Sequence, residues 1–244
     1  MFAALKSDLQ AILQRDPAAT NRWSVMFIYP SFQVMIAYRI ANPMWKAGLR
    51  FIPRLMMQVA RWLTGIEIHP GATIKSGFFV DHGMGVVIGE TAEIGENVTL
   101  YHGVTLGGVM PAVDAASQRC VKRHPTLGDD VIVGAGAQIL GPVQVGKCAR
   151  IGGNSVVTKD VAEGDTVVGV PAKVVRSRRS EAPFEAYGIN KLPHEDKDSR
   201  AIAALFAELE QLRAKLDAYQ KQNEETFKVE QVTTELPADD TRAK

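Results

Sequence analysis

The chain has 244 residues, of which 46% are hydrophobic and 23% charged, enough apolar material for one or two domains with a buried core. Its formal net charge of +1 excludes the strong overall field that draws proteins to nucleic acid or to an anionic membrane. Only two cysteines, Cys120 and Cys148, are present, which excludes a disulfide framework and is typical of a reducing cytoplasm. No stretch approaches the run of about 18 uncharged apolar residues that a membrane-spanning helix needs. We therefore expect a cytoplasmic protein whose partners are small molecules or other protein chains.

Residues 1–65 are predicted to form a helical domain. Leu5, Leu9, Ile12 and Leu13 follow the spacing of one helix face. Prolines interrupt the zone at four positions, so we expect three or four short helices rather than one long helix. These prolines are Pro17, Pro30, Pro43 and Pro53.

Residues 66–176 carry a repeat of six residues. One aliphatic residue per hexad points inward, and a glycine or small polar residue permits the turn between hexads. Three hexads then make one triangular coil, and successive coils are joined by parallel strand pairing. The sequence therefore predicts a three-sided prism. The inward positions are Ile68, Ile74, Val80, Ile88, Ile94, Leu100, Leu106, Leu127, Val133, Ile139, Val145, Ile151 and Val157.

The repeat loses its phase twice. Between Val80 and Ile88 there are two extra residues, around Gly83 to Gly85. Between Leu106 and Leu127 the step is 21 residues, which we interpret as one whole coil plus three residues and expect to leave the prism as an extended loop. A long loop on a rigid solenoid is more often functional than idle.

The repeat also predicts which histidines are neighbours. His82 is the third residue of the hexad that begins at Val80, and His102 is the third residue of the hexad that begins at Leu100. Both histidines should therefore lie on the same corner of the prism, about one strand spacing apart.

The period ends after Pro171, and the remaining chain is predicted to form three segments. Residues 177–200 are a polar linker, residues 201–224 a short coiled coil, and residues 225–244 a flexible tail. A helix lying on the surface of its own protein is the alternative for the coiled-coil segment. Its apolar residues alternate by three and four at Ile202, Leu205, Leu209, Leu212, Leu216 and Tyr219.

Several ordered motifs resemble those of serine O-acetyltransferases, across residues 5 to 176. They include Arg15-Asp-Pro-Ala18, Glu67-Ile-His-Pro-Gly-Ala72, Asp81-His-Gly-Met-Gly85, Val104-Thr-Leu-Gly-Gly108, Arg123-His-Pro125 and Gly169-Val-Pro-Ala-Lys173. The resemblance implies an α+β protein in which a helical domain precedes a left-handed parallel β-helix and a helical or coiled-coil tail follows. It also implies transfer of acetyl from acetyl-CoA to the hydroxyl of L-serine, a step of cysteine biosynthesis.

The resemblance assigns the catalytic role to His82. A serine hydroxyl is far too weak an acid to ionise near neutral pH, so the reaction needs a base, and histidine titrates in the right range. The resemblance further assigns Glu67 as the carboxylate that orients this imidazole, as the acid of a catalytic triad does. Many relatives carry Asp where this chain has Glu67. His69 and His102 are expected to have structural or supporting roles.

Serine carries an ammonium and a carboxylate, so its site needs charges of both signs. The resemblance places Asp16, Asp81 and Glu90 on the amino side, with Asp16 supplied by the helical domain of the same or of a neighbouring chain. It places Arg123 and His124 on the carboxylate, which arginine can grip with two parallel hydrogen bonds.

Acetyl-CoA is the expected co-substrate, and no metal is expected. A flat ladder face with small residues lets the pantetheine arm approach the backbone, and cationic side chains can meet the phosphates. By resemblance the groove residues are Gly108, Ala135 and Gly153, with Arg150 and Lys173 for the phosphates.

Three alternatives remain open. The chain could acetylate another hydroxyl compound, or it could be a non-catalytic scaffold. Some hexapeptide prisms hold zinc with three histidines, and His82, His102 and His124 would be the candidates here.

The flat faces and the apolar seam predict a homotrimer with active sites between chains, and a dimer of trimers is the alternative. Feedback inhibition by cysteine, common in the family, would use the serine-binding residues. A complex with cysteine synthase is not expected, because many relatives end in an isoleucine whereas this chain ends at Lys244. The segment from Met110 to Cys120 is also longer than the corresponding loop of the family.

Overall fold

The computed structural model describes residues 1–109 and 121–176, together with residues 205, 207–209, 211–213 and 215. The chain divides into two compact units, Met1–Ile189 and Asn190–Lys244. In the second unit the described residues are helical, as predicted, and Leu205, Leu209 and Leu212 of the predicted seam are exposed. The predicted linker, the tail and the segment from residue 110 to 120 lie outside the described residues. No helix among the described residues is both long and apolar enough to cross a membrane.

Four helices form the N-terminal domain, as the sequence predicts. Pro30 begins the third helix, where its fixed φ suits the first turn. Pro43, however, lies inside that helix and does not separate two helices, so its interpretation as an interruption was wrong. The last helix ends at Gly65, whose φ of 71° is left-handed and suits glycine. The helices are α1 (Phe2–Arg15), α2 (Arg22–Ile28), α3 (Pro30–Lys46) and α4 (Phe51–Thr64).

Short strands of two to four residues follow, and all but the last form the sides of successive coils. They are β1 (Glu67–Ile68), β2 (Thr73–Ile74), β3 (Phe79–Val80), β4 (Val87–Ile88), β5 (Glu93–Ile94), β6 (Thr99–Leu100), β7 (Thr105–Gly107), β8 (Thr126–Leu127), β9 (Ile132–Val133), β10 (Gln138–Leu140), β11 (Gln144–Val145), β12 (Arg150–Ile151), β13 (Val156–Val157), β14 (Thr166–Val168) and β15 (Lys173–Arg176).

The strands form three parallel sheets, the faces of the prism. The first face has the order β1-β4-β7-β10-β13, the second β2-β5-β8-β11, and the third β3-β6-β9-β12-β14, to which β15 adds in antiparallel direction. Inward residues pair in register along each face, for example Ile68 with Ile88 and Ile88 with Leu106. The predicted hexad spacing and the left-handed parallel β-helix after a helical domain are both confirmed.

The second phase slip differs from the prediction. Leu106 pairs with Ile139 on the first face, whereas Leu127 pairs with Ile94 on the second face. The segment between Leu106 and Leu127 therefore replaces a single six-residue side, and the interpretation as a whole coil plus three residues was wrong. The inward spacing alone could not distinguish an added coil from an insertion at one corner.

Two corners of the prism carry the residues singled out above. The first corner joins the third face to the first face, and the second corner joins the first face to the second. The first corner comprises residues 81–86, 101–104, 134–137 and 152–155, and the second comprises residues 69–72, 89–92, 108–109, 121–125, 141–143 and 158–160.

Buried polar contacts fasten the helices to the first coil. The carboxylate of Asp8, with no exposed side-chain surface, pairs with Arg39 at 3.1 Å and accepts a hydrogen bond from the N–H of Phe78 at 3.1 Å. Burial raises the pKa of Asp8, and the adjacent guanidinium opposes that rise. At the end of α1, Arg15 donates to the carbonyl oxygen of Gly77 at 3.1 Å. These contacts fix the end of α1 against the prism.

Candidate active site

The first corner presents two histidines to solvent. His82 has a φ of 60°, in the left-handed region, and its side chain is exposed. The ring centroid of His102, one coil further along, lies 5.7 Å from that of His82, with the rings nearly perpendicular. The predicted stacking of His82 and His102 on one corner is therefore confirmed.

Two carboxyl groups lie beside these histidines. Asp16 is the residue that follows α1, and one of its oxygens accepts a hydrogen bond from the N–H of Ala18 at 2.8 Å. The other oxygen accepts a hydrogen bond from the hydroxyl of Tyr29 at 2.7 Å. Because Asp16 and Asp81 of the same chain interact electrostatically, Asp16 approaches the corner from the helical domain of its own chain, not from that of a neighbouring chain.

The electrostatics of this cluster suit a cation. Burial raises the pKa of Asp81, and the nearby Asp16 carboxyl raises it further, while His82 and His102 act in the opposite direction. Burial and the hydrogen bond to Asp16 raise the pKa of Tyr29 to about 12, so the phenol keeps its proton as a donor. An ammonium group bound between the two carboxylates would relieve their mutual repulsion.

Glu67 lies on the first strand of the first face, next to this corner. Its N–H donates to the carbonyl oxygen of Val86 at 2.9 Å. Its carboxylate pairs with Arg61 of α4 at 3.0 Å, and both side chains are about half exposed, at 44% and 50%. The proposed role of Glu67 in orienting His82 stays a prediction.

The second corner carries the other residues that were predicted to bind serine. Arg123 and Glu90 form an ion pair at 3.7 Å, with both side chains partly exposed. His124 is 6% exposed, and it packs closely on Gly89, where an added Cβ would lie 2.1 Å from the ring. Glycine at position 89 is therefore required for the observed position of His124. Burial lowers the pKa of His124, and Arg123 lowers it further.

His69 lies beneath this cluster and contacts the helical domain. The edge of its ring meets Trp45 of α3 at a centroid distance of 4.9 Å, and its Nδ1 accepts a hydrogen bond from the N–H of Gly71 at 3.0 Å. Burial, together with nearby arginines and His124, lowers the pKa of His69 to about 4. His69 is thus a neutral packing residue, which agrees with its expected supporting role.

We expect the His69→Asn variant to lose stability less steeply in acid than the wild type. Between pH 6.5 and about 4, unfolded His69 binds a proton that the folded state does not bind, so wild-type stability falls as pH falls through this window. Asparagine does not titrate there, and its side-chain oxygen can accept the Gly71 hydrogen bond. Thermal unfolding at pH 7 and pH 5 measures the difference. Equal losses in both proteins would contradict the assignment, since His124 contributes equally to each.

The serine-binding residues are divided between the two corners. Asp16, Asp81 and His82 lie at the first corner, whereas Glu90, Arg123 and His124 lie at the second. Glu90, expected on the amino side with Asp16 and Asp81, is therefore paired with Arg123 instead. One side of the prism separates the two groups, on the order of 15–20 Å for six extended residues. That distance is several times the length of a serine molecule, so one chain cannot bring both groups to one ligand.

The division between the two corners also separates the three histidines of the zinc alternative. His124 lies on a different corner from His82 and His102. Within the described ranges of this one chain, no group of three His, Cys, Asp or Glu side chains is close enough together to hold a metal ion.

Two of the predicted acetyl-CoA residues, Ala135 and Gly153, follow His82 along the first corner. The N–H of Gly136 donates to the carbonyl oxygen of His102 at 2.9 Å, and the N–H of Asn154 donates to that of Ala135 at 2.8 Å. His102, Ala135 and Gly153 therefore occupy equivalent positions in successive coils. Gly108 lies on the second corner, while Arg150 and Lys173 lie in β12 and β15 of the third face.

Three residues of these clusters were missed in the sequence. Tyr29, which holds Asp16, lies between α2 and α3 in an apolar stretch where nothing indicates a polar role. Thr91 directly follows the predicted site residue Glu90 but received no role, although its hydroxyl contacts the 123–124 segment. The ammonium of Lys122 bonds the carbonyl oxygen of Thr91 at 2.7 Å. Thr91 and the 122–124 segment are distant in sequence, so only the repeat register, extended past the insertion, could have linked them.

Comparison with known proteins shows similarity to hexapeptide-repeat transferases. Residues 124–159 match the family described as bacterial transferase hexapeptide (six repeats). The curated serine acetyltransferase of Helicobacter pylori is 51% identical over 175 residues, which cover 72% of this chain and 98% of the relative. The crystal structure of Neisseria gonorrhoeae serine acetyltransferase in complex with serine has a TM-score of 0.65 and 38% identity, covering 70% of this chain and 68% of that one.

Two further serine acetyltransferase structures are complexes with other ligands. The complex with cysteine has a TM-score of 0.67 and the complex with CoA one of 0.64; both are 36% identical to this chain, cover 71% of it, and are covered over 69% of their own length. Given this agreement across nearly the full length of the Helicobacter pylori relative, the chain belongs to the serine acetyltransferase family.

Proposed function

We propose that this chain transfers the acetyl group of acetyl-CoA to the hydroxyl of L-serine, giving O-acetylserine and CoA in cysteine biosynthesis. The observation that carries the proposal is the exposed imidazole of His82, standing on the first corner beside the carboxyl groups of Asp81 and Asp16. The similarity to serine acetyltransferases, among them a complex with serine and a complex with CoA, supports it.

His82 acts as the base in the proposed reaction. It accepts the hydroxyl proton while the serine oxygen forms a bond to the carbonyl carbon of the thioester. The tetrahedral intermediate then collapses, the carbon–sulfur bond breaks, and the CoA sulfur leaves with the electron pair and takes the proton from His82. The imidazolium formed between the two steps is stabilised by the carboxylate of Asp81 and, in this proposal, by that of Glu67.

The serine zwitterion is recognised at both ends. Asp16 and Asp81 bind the ammonium, with Tyr29 holding Asp16 in place. Arg123 and His124 bind the carboxylate, and Glu90 pairs with Arg123 so that the guanidinium is held near its ligand.

The proposed enzyme is a homotrimer, with a dimer of trimers as the alternative. The two halves of the serine site lie on separate corners of one chain, and a three-fold arrangement can bring the first corner of one copy against the second corner of the next. Each trimer then holds three complete sites between chains.

Acetyl-CoA lies along the first corner with its thioester at His82. From the level of His82 to that of Gly153 the pantetheine arm would pass three coil steps, about 14 Å at 4.8 Å per step. Gly108 of the adjoining copy's second corner forms the other wall, and Arg150 and Lys173 meet the phosphates. The reaction needs no metal in this scheme, because the charges that develop are met by side chains.

Cysteine is a proposed inhibitor at the serine site. It carries the same ammonium and carboxylate as serine, and a thiol replaces the hydroxyl, so it would compete with serine for the same charged groups. A serine acetyltransferase of this fold has been solved in complex with cysteine, which supports the idea. We further propose that the enzyme is cytoplasmic.

Release of CoA thiol tests the proposed function. The purified protein is mixed with acetyl-CoA and a panel of hydroxyl compounds, including L-serine, D-serine, L-threonine, homoserine and a sugar. We expect release to depend on L-serine and to exceed release with the sugar by at least about 100-fold, because the sugar lacks both the ammonium and the carboxylate that the site binds. Release that is equal without serine, or greater with a sugar, would contradict the proposal.

A further inference from the structure

The hydroxyl of Thr91 joins the backbone and the side chain of the His124 segment. Its Oγ accepts hydrogen bonds from the N–H of Arg123 at 3.1 Å and from the N–H of His124 at 3.2 Å. The same oxygen lies 2.8 Å from Nδ1 of His124. The main-chain N–H of Thr91 also points to this nitrogen, donating to it at 3.1 Å. Thr91 therefore makes four hydrogen bonds to two consecutive residues.

Proton counting fixes the state of the imidazole. A hydroxyl has one proton and two lone pairs, and here the two backbone N–H groups occupy the lone pairs. The hydroxyl proton of Thr91 must then be donated to Nδ1 of His124. The main-chain N–H of Thr91 can only donate, so this contact also requires Nδ1 of His124 to be an acceptor. With Nδ1 accepting from both donors, the neutral ring carries its proton on Nε2.

The surroundings of the ring agree with a neutral state. Burial lowers the pKa of His124, and the cationic neighbours Arg123 and Lys122 lower it further against the opposing charge of Glu90. Lys122 also bonds the carbonyl oxygen of Thr91 at 2.7 Å and Glu93 at 3.0 Å. The segment from Lys122 to His124 is thus bonded both to the hydroxyl of Thr91 and to its main chain.

We propose that Thr91 is a positioning residue for serine binding, holding His124 as the neutral Nε2–H tautomer so that Nε2–H is the donor offered to the substrate carboxylate. The inference rests on the proposed function, which assigns His124 to that carboxylate. Thr91 itself does not contact the substrate in this scheme. Its place in the network explains why a hydroxyl is needed at this point of the second corner.

A matched pair of variants tests the inference. Thr91→Val keeps the size of the side chain but removes the hydroxyl, and it leaves two backbone N–H groups without their acceptor. We expect its KM for serine to rise roughly 10- to 100-fold, as for other residues that orient a ligand-binding histidine, with kcat and the KM for acetyl-CoA unchanged. Thr91→Ser restores the hydroxyl and is expected to restore the wild-type KM within about threefold. A Thr91→Val enzyme with wild-type KM for serine would overturn the inference.

A spectroscopic measurement reports the tautomer of His124 in the wild-type protein itself. In wild-type protein labelled with ¹⁵N-histidine, the His124 signals are assigned by their loss in His124→Gln. We expect an unprotonated Nδ1 and a protonated Nε2 at pH 7; a protonated Nδ1 would overturn the inference. Absence of serine-dependent acetyl transfer by the wild type would instead overturn the proposed function, while the tautomer result would still stand.

Discussion

Replacing His82 with asparagine is expected to lower kcat for serine acetylation by about 100- to 10,000-fold, the usual contribution of a positioned general base. Asparagine cannot accept the hydroxyl proton at neutral pH, yet it tolerates the left-handed backbone that His82 adopts at a φ of 60°. Alanine at that position would add backbone strain to the loss of the base. The KM for acetyl-CoA should change little, because the pantetheine arm lies on higher coils. Steady-state release of CoA thiol measures both constants.

The matched control is His102→Asn. His102 lies on the same corner, and its ring centroid is 5.7 Å from that of His82, so general effects on this corner should appear in both variants. We expect His102→Asn to keep kcat within about tenfold, since it supports the ring of His82 rather than taking the proton. A His82→Asn enzyme with wild-type kcat, or a His102→Asn enzyme that is equally impaired, would remove His82 from its assigned role.

The hexad repeat made the positions of the first-corner histidines predictable. A period of six fixes the side of the prism and the coil for each residue, so His82 and His102 could be stacked from their positions alone. The insertion after Leu106 has no period, and for that reason its relation to the coils was misjudged. Beyond it, the repeat resumes at Leu127 and again predicts the register correctly.

Contacts between the helices and the prism were the part that the sequence could not predict. Asp16 could be named from a motif, but its approach to Asp81 depends on the buried pair of Asp8 and Arg39, whose partners are distant along the chain. Tyr29 was missed because its contact with Asp16 depends on how α1 packs against the start of α3. Helix packing angles come from the three-dimensional fit of side chains, which a linear pattern does not specify.

Mixed oligomers are expected to recover activity that neither parent variant has. His82→Asn disables the first corner, and Arg123→Ala disables the second by removing the group proposed to bind the serine carboxylate. In a mixed trimer of either composition, one of the three interfaces brings an intact first corner against an intact second corner. The expected activity is therefore about one third of the wild-type value at a serine concentration below the KM of Arg123→Ala.

The experiment uses two affinity tags, one on each variant, so that only mixed oligomers are purified after co-expression. Each variant purified alone, at the same total concentration, gives the background. If both halves of the site came from one chain, no mixed oligomer would contain a complete site, and its activity would equal that background. Because one side of the prism separates Asp81 and His82 from Arg123 and His124, the recovered third is the result that this geometry requires.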